Sequence, residues 1–435
     1  MSWFRRESKS RERLVHSLRR KGLFRGLEGV SVDFSRLKGA ALRLPPPKGG
    51  KVDVLIVAGE HSGDEHAARL VRELRTKHPE LVIAALGGPE LAAAGAQPLF
   101  DLTATSVVGL VEVLKHYGFF RTLFKETLRW IAEHQPRAVC FVDYPGFNLR
   151  LAAALRRRKL SVKGGGKIKL LYYISPQIWA WKARRRFAMA RELDALAVIF
   201  PFEVGCYADT ALPVEFVGHP FVAADYVSPV RYDPAGPVLL LPGSRVQAVT
   251  QIFPVLLEGF KESGARKAVV LYPSDDILTV LKGAEPPSSV LLQRISDATA
   301  RPSGAPARTG PAEEPPEPDV AASAVLTSSG TMSMHCALAA IPGAIAYRTS
   351  PMTYRLARWL VKIEFIGIAN LLLKEPMYRE YIQDAATPRA LAVELRACAS
   401  DPARRIRAAT QAEKLRALLS EPKSGTAADW LARQL

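Results

Sequence analysis

The sequence predicts an α/β protein built from two units of similar size, each a parallel sheet covered by helices, that face each other across a cleft. Three observations predict it. Short apolar runs alternate with helix-spaced stretches from residue 51 onward. The same pattern restarts after residue 231. Four of the strand ends run into turns rich in glycine, hydroxyl and charged side chains. Strands alternating with helices argue for parallel sheets buried on both faces. Such sheets place ligands at the carboxyl ends of their strands, and two facing sheets enclose a cleft between those ends.

In the first unit, KVDVLIVAG reads as a buried strand followed by a helix over about 65–77. LVIAAL, RAVCFVDY, KIKLLYYIS, ALAVIFP and VEFVG continue the series, with helical spacing over 119–134 and 148–158. In the second unit, GPVLLLPGS leads into a helix over 252–262, and KAVVLYP, SAVLTSSG and GAIAYR supply further strands. The junction falls near 225–235. Residues 300–318, rich in Pro, Ala and Gly without periodicity, read as a surface insertion or loop. Residues 352–435 read as mostly helical.

The 435 residues are 48% hydrophobic, enough for two cores rather than one. Cys140, Cys206, Cys336 and Cys398 are scattered, which fits thiols in a reducing compartment and supports neither a disulfide framework nor a cysteine-based metal site. No apolar run has the length of a membrane-spanning helix. The first 24 residues are arginine-rich and lack the apolar core of a secretory signal. The expectation is a cytoplasmic protein that can still lie on a membrane. The net charge of +18 attracts polyanions, whether nucleic acid, an anionic bilayer or phosphorylated substrates, without choosing among them. Residues 1–50 form a basic extension ending in Pro45-Pro46-Pro47, a stiff connector. Within it, residues 13–24 have the spacing of a basic amphipathic helix suited to an anionic membrane, or they form a solvated tail.

Four turns are candidates for chemistry. The first holds Ser62, Gly63 and Asp64 after strand one, where the polar side chains either cap the next helix or face a ligand. The pattern is not GxGxxG, so a dinucleotide fingerprint is absent. The second begins at Asp143 and runs to Asn148. Asp143 either caps the following helix or serves as a carboxylate base for an attacking hydroxyl. The third, Gly243-Ser244-Arg245, offers backbone N–H groups and a guanidinium to phosphate oxygens, but lacks the GK[ST] of a Walker loop. The fourth, Ser329-Gly330-Thr331, offers similar donors or a helix cap, with His335 one turn on. The stretch YYISPQIWAWKARRR mixes aromatics with cations. It suits nucleic acid, a lipid headgroup zone, or simply a packed turn beside a solvated charged face. The apolar stretch 105–120 reads as a core helix or an acyl-chain surface. No His/Cys/Asp cluster has metal-ligand spacing, and no nucleic-acid motif is present, so neither a metal nor nucleic acid is expected.

The stretches AGEHSGD, VVGLVEVL, VDYPGFN, YYISPQIWAWKARR, PFEVGCY, FVGHP, LLPGSR, SSGTMSMHCAL, YRTSPMTYRLARWLVK and IGIANLL resemble the lipid-A-disaccharide synthase family, in order, over roughly 51–385. The resemblance implies two facing Rossmann-like domains of the GT-B type: an acceptor and catalytic domain over 51–230, a nucleotide-sugar domain over 231–385, and a helical segment over 386–435. It implies an inverting, metal-independent hexosyltransferase at the cytoplasmic face of the inner membrane of Gram-negative bacteria. That enzyme would join UDP-2,3-diacylglucosamine to 2,3-diacylglucosamine 1-phosphate at an anionic membrane surface.

Residue by residue, the resemblance makes Asp143 the candidate base and Arg245 the phosphate contact. Ser62 and Asp64 fall on the sugar side, and Ser329, Gly330 and Thr331 on the nucleotide side. Asn370, Glu380 and Gln383 match late-motif positions expected to bind substrate. Three positions depart from the family pattern: His335 replaces an acid suited to a ribose, Ala248 a glutamate, and Gly146 a second acid. A divergent nucleotide-sugar transferase acting on a related glycolipid and a catalytically silent paralogue stay open as alternatives.

Overall fold

The computed structural model describes residues 42–105, 117–223, 226–295, 320–349, 354, 364–420 and 425–435. The predicted helix over 13–24, all but the ends of the apolar stretch 105–120, the insertion 300–318 and most of the segment 350–363 lie outside the described residues.

The first lobe is a seven-stranded, all-parallel sheet in the order β3-β2-β1-β4-β5-β6-β7. Its strands are β1 (Val54–Ala58), β2 (Ile83–Gly87), β3 (Gln97–Asp101), β4 (Ala138–Val142), β5 (Lys169–Tyr173), β6 (Ala195–Val198) and β7 (Val214–Phe216). Its helices are α1 (His61–Lys77), α2 (Pro89–Ala93), α3 (Tyr117–His134), α4 (Pro145–Arg157) and α5 (Arg185–Glu192). β1, β2, β4 and β6 are buried at every position, because helices cover both faces. That is why they read as unbroken apolar runs rather than alternating ones. The proline connector packs on this lobe: Trp130 donates to the Pro45 carbonyl at 2.8 Å, and the Leu44 amide donates to Glu126 at 3.0 Å.

The second lobe is a six-stranded parallel sheet, β11-β10-β9-β13-β14-β15. It comprises β9 (Val238–Leu241), β10 (Ala268–Tyr272), β11 (Val290–Arg294), β13 (Ala324–Thr327), β14 (Gly343–Tyr347) and β15 (Arg379–Ile382), with a separate parallel pair of β8 (Val230–Tyr232) and β12 (Val320–Ala322). Its helices are α6 (Val246–Ser263), α7 (Asp275–Gly283), α8 (Thr331–Leu338), α9 (Ile368–Leu373), α10 (Pro388–Ser400) and α11 (Pro402–Leu419). The structure adds β3, β8, β11, β12 and β15 to the strands expected from sequence and starts α1 four residues earlier, at His61.

The last helix, α12 (Ala427–Gln434), returns to the first lobe. Lys77 pairs with Asp429 at 2.7 Å, Arg433 with Glu215 at 2.7 Å, and Lys169 donates to the Gln434 carbonyl at 2.6 Å. Trp430 is fully buried there, and truncating such a side chain costs about 3–5 kcal/mol. The chain thus crosses between lobes twice. The crossings run side by side, since the His219 amide donates to the Leu419 carbonyl at the end of α11.

Candidate active site

The two sheets present their carboxyl ends to one inter-lobe cleft, and an aromatic cluster sets their approach. His66 on α1, His219 and Phe221 in the first crossing, Tyr226 and His335 on α8 stack together. The rings of Phe221 and His335 lie 4.0 Å apart, those of His219 and Phe221 4.6 Å, and those of His66 and Phe221 5.9 Å. Arg69 on α1 donates to the Pro220 carbonyl at 3.3 Å and lies over the Tyr226 ring. Helices α1 and α8 both start at strand ends, so tying their second turns together brings the β1 and β13 turns to the same cleft.

On the first lobe, Asp143 follows β4 directly. It has φ 44°, and Tyr144 after it has φ 45°. Two successive non-glycine residues in the left-handed region are strained, and such strain gathers at functional sites. The Asp143 carbonyl accepts from Asn148 Nδ2 at 2.8 Å and from the Tyr172 hydroxyl, while the Asp143 amide donates to the Tyr173 carbonyl at 3.0 Å. Gly59 makes room for this turn: a Cβ there would fall 2.1 Å from the Tyr144 ring. The N-cap of α4 is Tyr144, and no side chain caps it, which leaves the Asp143 carboxylate free of the capping role. Burial, and then the nearby Glu60 carboxylate, push the Asp143 carboxyl up to about 6. A carboxylate tuned in that way is matched to proton transfer near neutral pH.

On the second lobe, the β9–α6 and β13–α8 turns lie against each other. The Ser328 amide donates to the Leu241 carbonyl at 2.8 Å. Gly243 has φ 108°, and a Cβ on it would lie 3.0 Å from Ser328 Oγ. Both α6 and α8 start without a side-chain cap, at Arg245 and Gly330. Apart from the Ser333 amide, which donates to the Gly330 carbonyl, their first N–H groups are therefore available to an anion, and the helix dipoles favour one. Ser244, Arg245, Gly330 and Thr331 are exposed, with Ser329 half-buried beside them.

Several residues expected to touch substrate also make contacts within the protein. Asp64 is buried, and its carboxylate accepts the amides of Gly88 at 2.7 Å, Glu90 at 2.9 Å and Leu91 at 3.4 Å, so it braces the β2–α2 turn. Gly63 is buried under it, and Ser62 is half-buried. Asn148 is fully buried beneath Asp143 and positions that residue. His335 is buried, with Tyr226 Oη 3.0 Å from its Nδ1. An aromatic ring at that helix position gains more by stacking on Phe221 than by facing water. Asn370 is fully buried, donating to the Tyr378 carbonyl at 2.7 Å and to Glu380 at 2.8 Å. Glu380 also accepts the amides of Ile366 and Gly367, each at 2.9 Å. Gln383 pairs with both the amide and the carbonyl of Thr349, at 2.7 and 2.9 Å. These three hold the backbone that flanks 350–363. Glu60 and Tyr172 contribute to the site beyond what the sequence indicates. Glu60 lies in the AGEHSGD turn, but its effect on Asp143 depends on tertiary proximity. Among the described residues, no group of His, Cys, Asp or Glu side chains is arranged to hold a metal ion.

Two facing parallel α/β lobes, a double crossing and paired glycine turns define the GT-B fold. A solved structure of the glycotransferase of kitacinnamycin shares this fold with a TM-score of 0.52 at 15% identity, covering 88% of this chain and 99% of that one. The family model described as lipid-A-disaccharide synthetase matches residues 54–263 and 316–433, and the chain belongs to that family. It is 37% identical over 359 residues to the lipid-A-disaccharide synthase of Trichlorobacter lovleyi, covering 79% of this chain and 86% of that one. It is 36% identical over 389 residues to that of Geobacter sulfurreducens, covering 85% and 92%.

Proposed function

We propose that the chain is an inverting hexosyltransferase that moves 2,3-diacylglucosamine from its UDP donor to the 6-hydroxyl of 2,3-diacylglucosamine 1-phosphate. Asp143 carries the reading: a strained, half-buried carboxylate at a strand end in the cleft, raised to about 6 by burial and Glu60. It takes the proton from the acceptor hydroxyl as that oxygen attacks the anomeric carbon from the face opposite the diphosphate. The bond from that carbon to the diphosphate oxygen breaks, and UDP leaves. Arg245 and the uncapped ends of α6 and α8 balance the charge that grows on the leaving group. Holding both sugars in one cleft lowers the entropic barrier. The names of the relatives support the disaccharide product, and the membrane location follows from the lipid nature of both substrates.

The test supplies defined donor and acceptor and follows product by mass spectrometry. A disaccharide 1-phosphate and UDP are expected. Asp143→Asn should lower kcat by about 10²–10⁴ without changing the melting temperature, and wild-type kcat/KM should fall as pH drops through about 6. The reading fails if no disaccharide forms, or if Asp143→Asn keeps more than about a tenth of kcat with chemistry rate-limiting.

A further inference from the structure

The loops after β5 and β6 carry an exposed aromatic and basic patch that the chemistry above does not use. Trp181 is 44% exposed and Phe187, in the first turn of α5, is 47% exposed; Val204, after β6, is exposed too. Large apolar side chains grouped at a surface mark an interaction site when polar groups rim them. Here the rim is cationic. The Lys182 ammonium sits 4.2 Å from the centre of the Trp181 ring and the Arg185 guanidinium 5.7 Å from it, while Arg186 lies 4.4 Å over Phe187. Arg184 is exposed beside them. Arg186 is neutralised by Asp209, which it contacts through two hydrogen bonds at 2.7 and 2.6 Å, leaving an excess of positive charge from Lys182, Arg184 and Arg185.

We infer that the Trp181–Phe187 patch is the surface by which this lobe docks on an anionic lipid bilayer. Aromatic rings with a polar rim partition to the headgroup level, and cations beside them gain from the negative surface potential. Their long stems reach toward the phosphates while the rings sink. A single-stranded nucleic acid also pairs aromatics with cations, but it needs a groove that tracks its backbone. The patch instead lies on a loop and one helix turn. Its position suits the purpose. Arg185 is near enough to Tyr172 to act on its hydroxyl, and that hydroxyl donates to the Asp143 carbonyl. The docked face would therefore border the turn that receives the acceptor sugar. The purpose of docking rests on the proposed lipid-linked substrates; the patch itself does not.

The test uses the full chain, with vesicles of phosphatidylcholine alone or mixed with phosphatidylglycerol, and co-sedimentation at low salt. Wild type should bind the anionic vesicles and show a blue shift of tryptophan emission that Trp181→Phe removes. Trp181→Ser/Phe187→Ser and Lys182→Glu/Arg184→Glu should each weaken binding by about tenfold or more, with unchanged melting curves. Turnover of detergent-dispersed substrates should be retained in both, which separates this proposal from the catalytic one. Vesicle binding unchanged in both double variants overturns the assignment and leaves attachment to another surface. So does loss of single-stranded RNA binding in the variants with vesicle binding intact.

Discussion

The residue that matters most is held by its backbone. Asp143 and Tyr144 both sit at positive φ, each costing about 1–3 kcal/mol, and two donors converge on the Asp143 carbonyl to hold it there. Tyr172→Phe removes one donor and leaves Asn148 in place. The expected result is a fall in kcat of about ten- to a hundredfold with KM nearly unchanged, because a small displacement of the base is costly only in the transition state. Steady-state kinetics beside a thermal melt check it; a matching loss in KM or in stability would make Tyr172 a packing residue instead. The sequence could nominate Asp143, since an acid at the end of an apolar run leaves few destinations for its carboxylate. It could not say where Asp64, Asn148, Asn370, Glu380 and Gln383 point. A carboxylate or amide near a turn has the same chemistry toward a ligand as toward a neighbouring peptide group. Each of these found a peptide group, and only the folded chain decides that.

At the level of elements, the buried central strands were legible, whereas of the four edge strands of the two large sheets only β7 was. β1, β4 and β9 are apolar at every position, whereas β3 reads QPLFD and β15 reads REYI, mixing exposed and half-buried positions. The turns between elements depend on buried carboxylates. Asp64 on α1 serves the start of α2, satisfying amides that α2 would otherwise leave unpaired. Removing an acceptor from buried donors exposes their full desolvation cost. Asp64→Ala should therefore lower stability by about 1–3 kcal/mol in a urea titration. Were Asp64 the proton acceptor instead, the substitution would abolish turnover while leaving the urea midpoint in place.

Across the whole molecule, the lobes meet at a junction that carries three histidines. His66 comes from the first lobe, His219 from the crossing and His335 from the second lobe. Burial holds all three neutral, lowering His66 to about 4 and His335 to about 3, with His219 also well below its ordinary value. The charged groups nearby are Arg69, which disfavours protonation of His66, and Glu65 on the same helix, which acts on Tyr226. Because the folded values lie below the unfolded one, the unfolded chain binds more protons. Stability is complete above about 6.5 and declines as pH falls toward about 4 for His66 and about 3 for His335, by about 1.4 kcal/mol per pH unit for each histidine. A phenylalanine at 335 keeps the stack on Phe221 and cannot take a proton, although it gives up the contact with Tyr226. Between about pH 6.5 and pH 5, His335→Phe should therefore lose about 2 kcal/mol less stability than wild type. Urea midpoints at the two pH values measure the difference directly. An equal loss in both proteins would show that acid opens the molecule elsewhere and that the histidine stack only packs the junction.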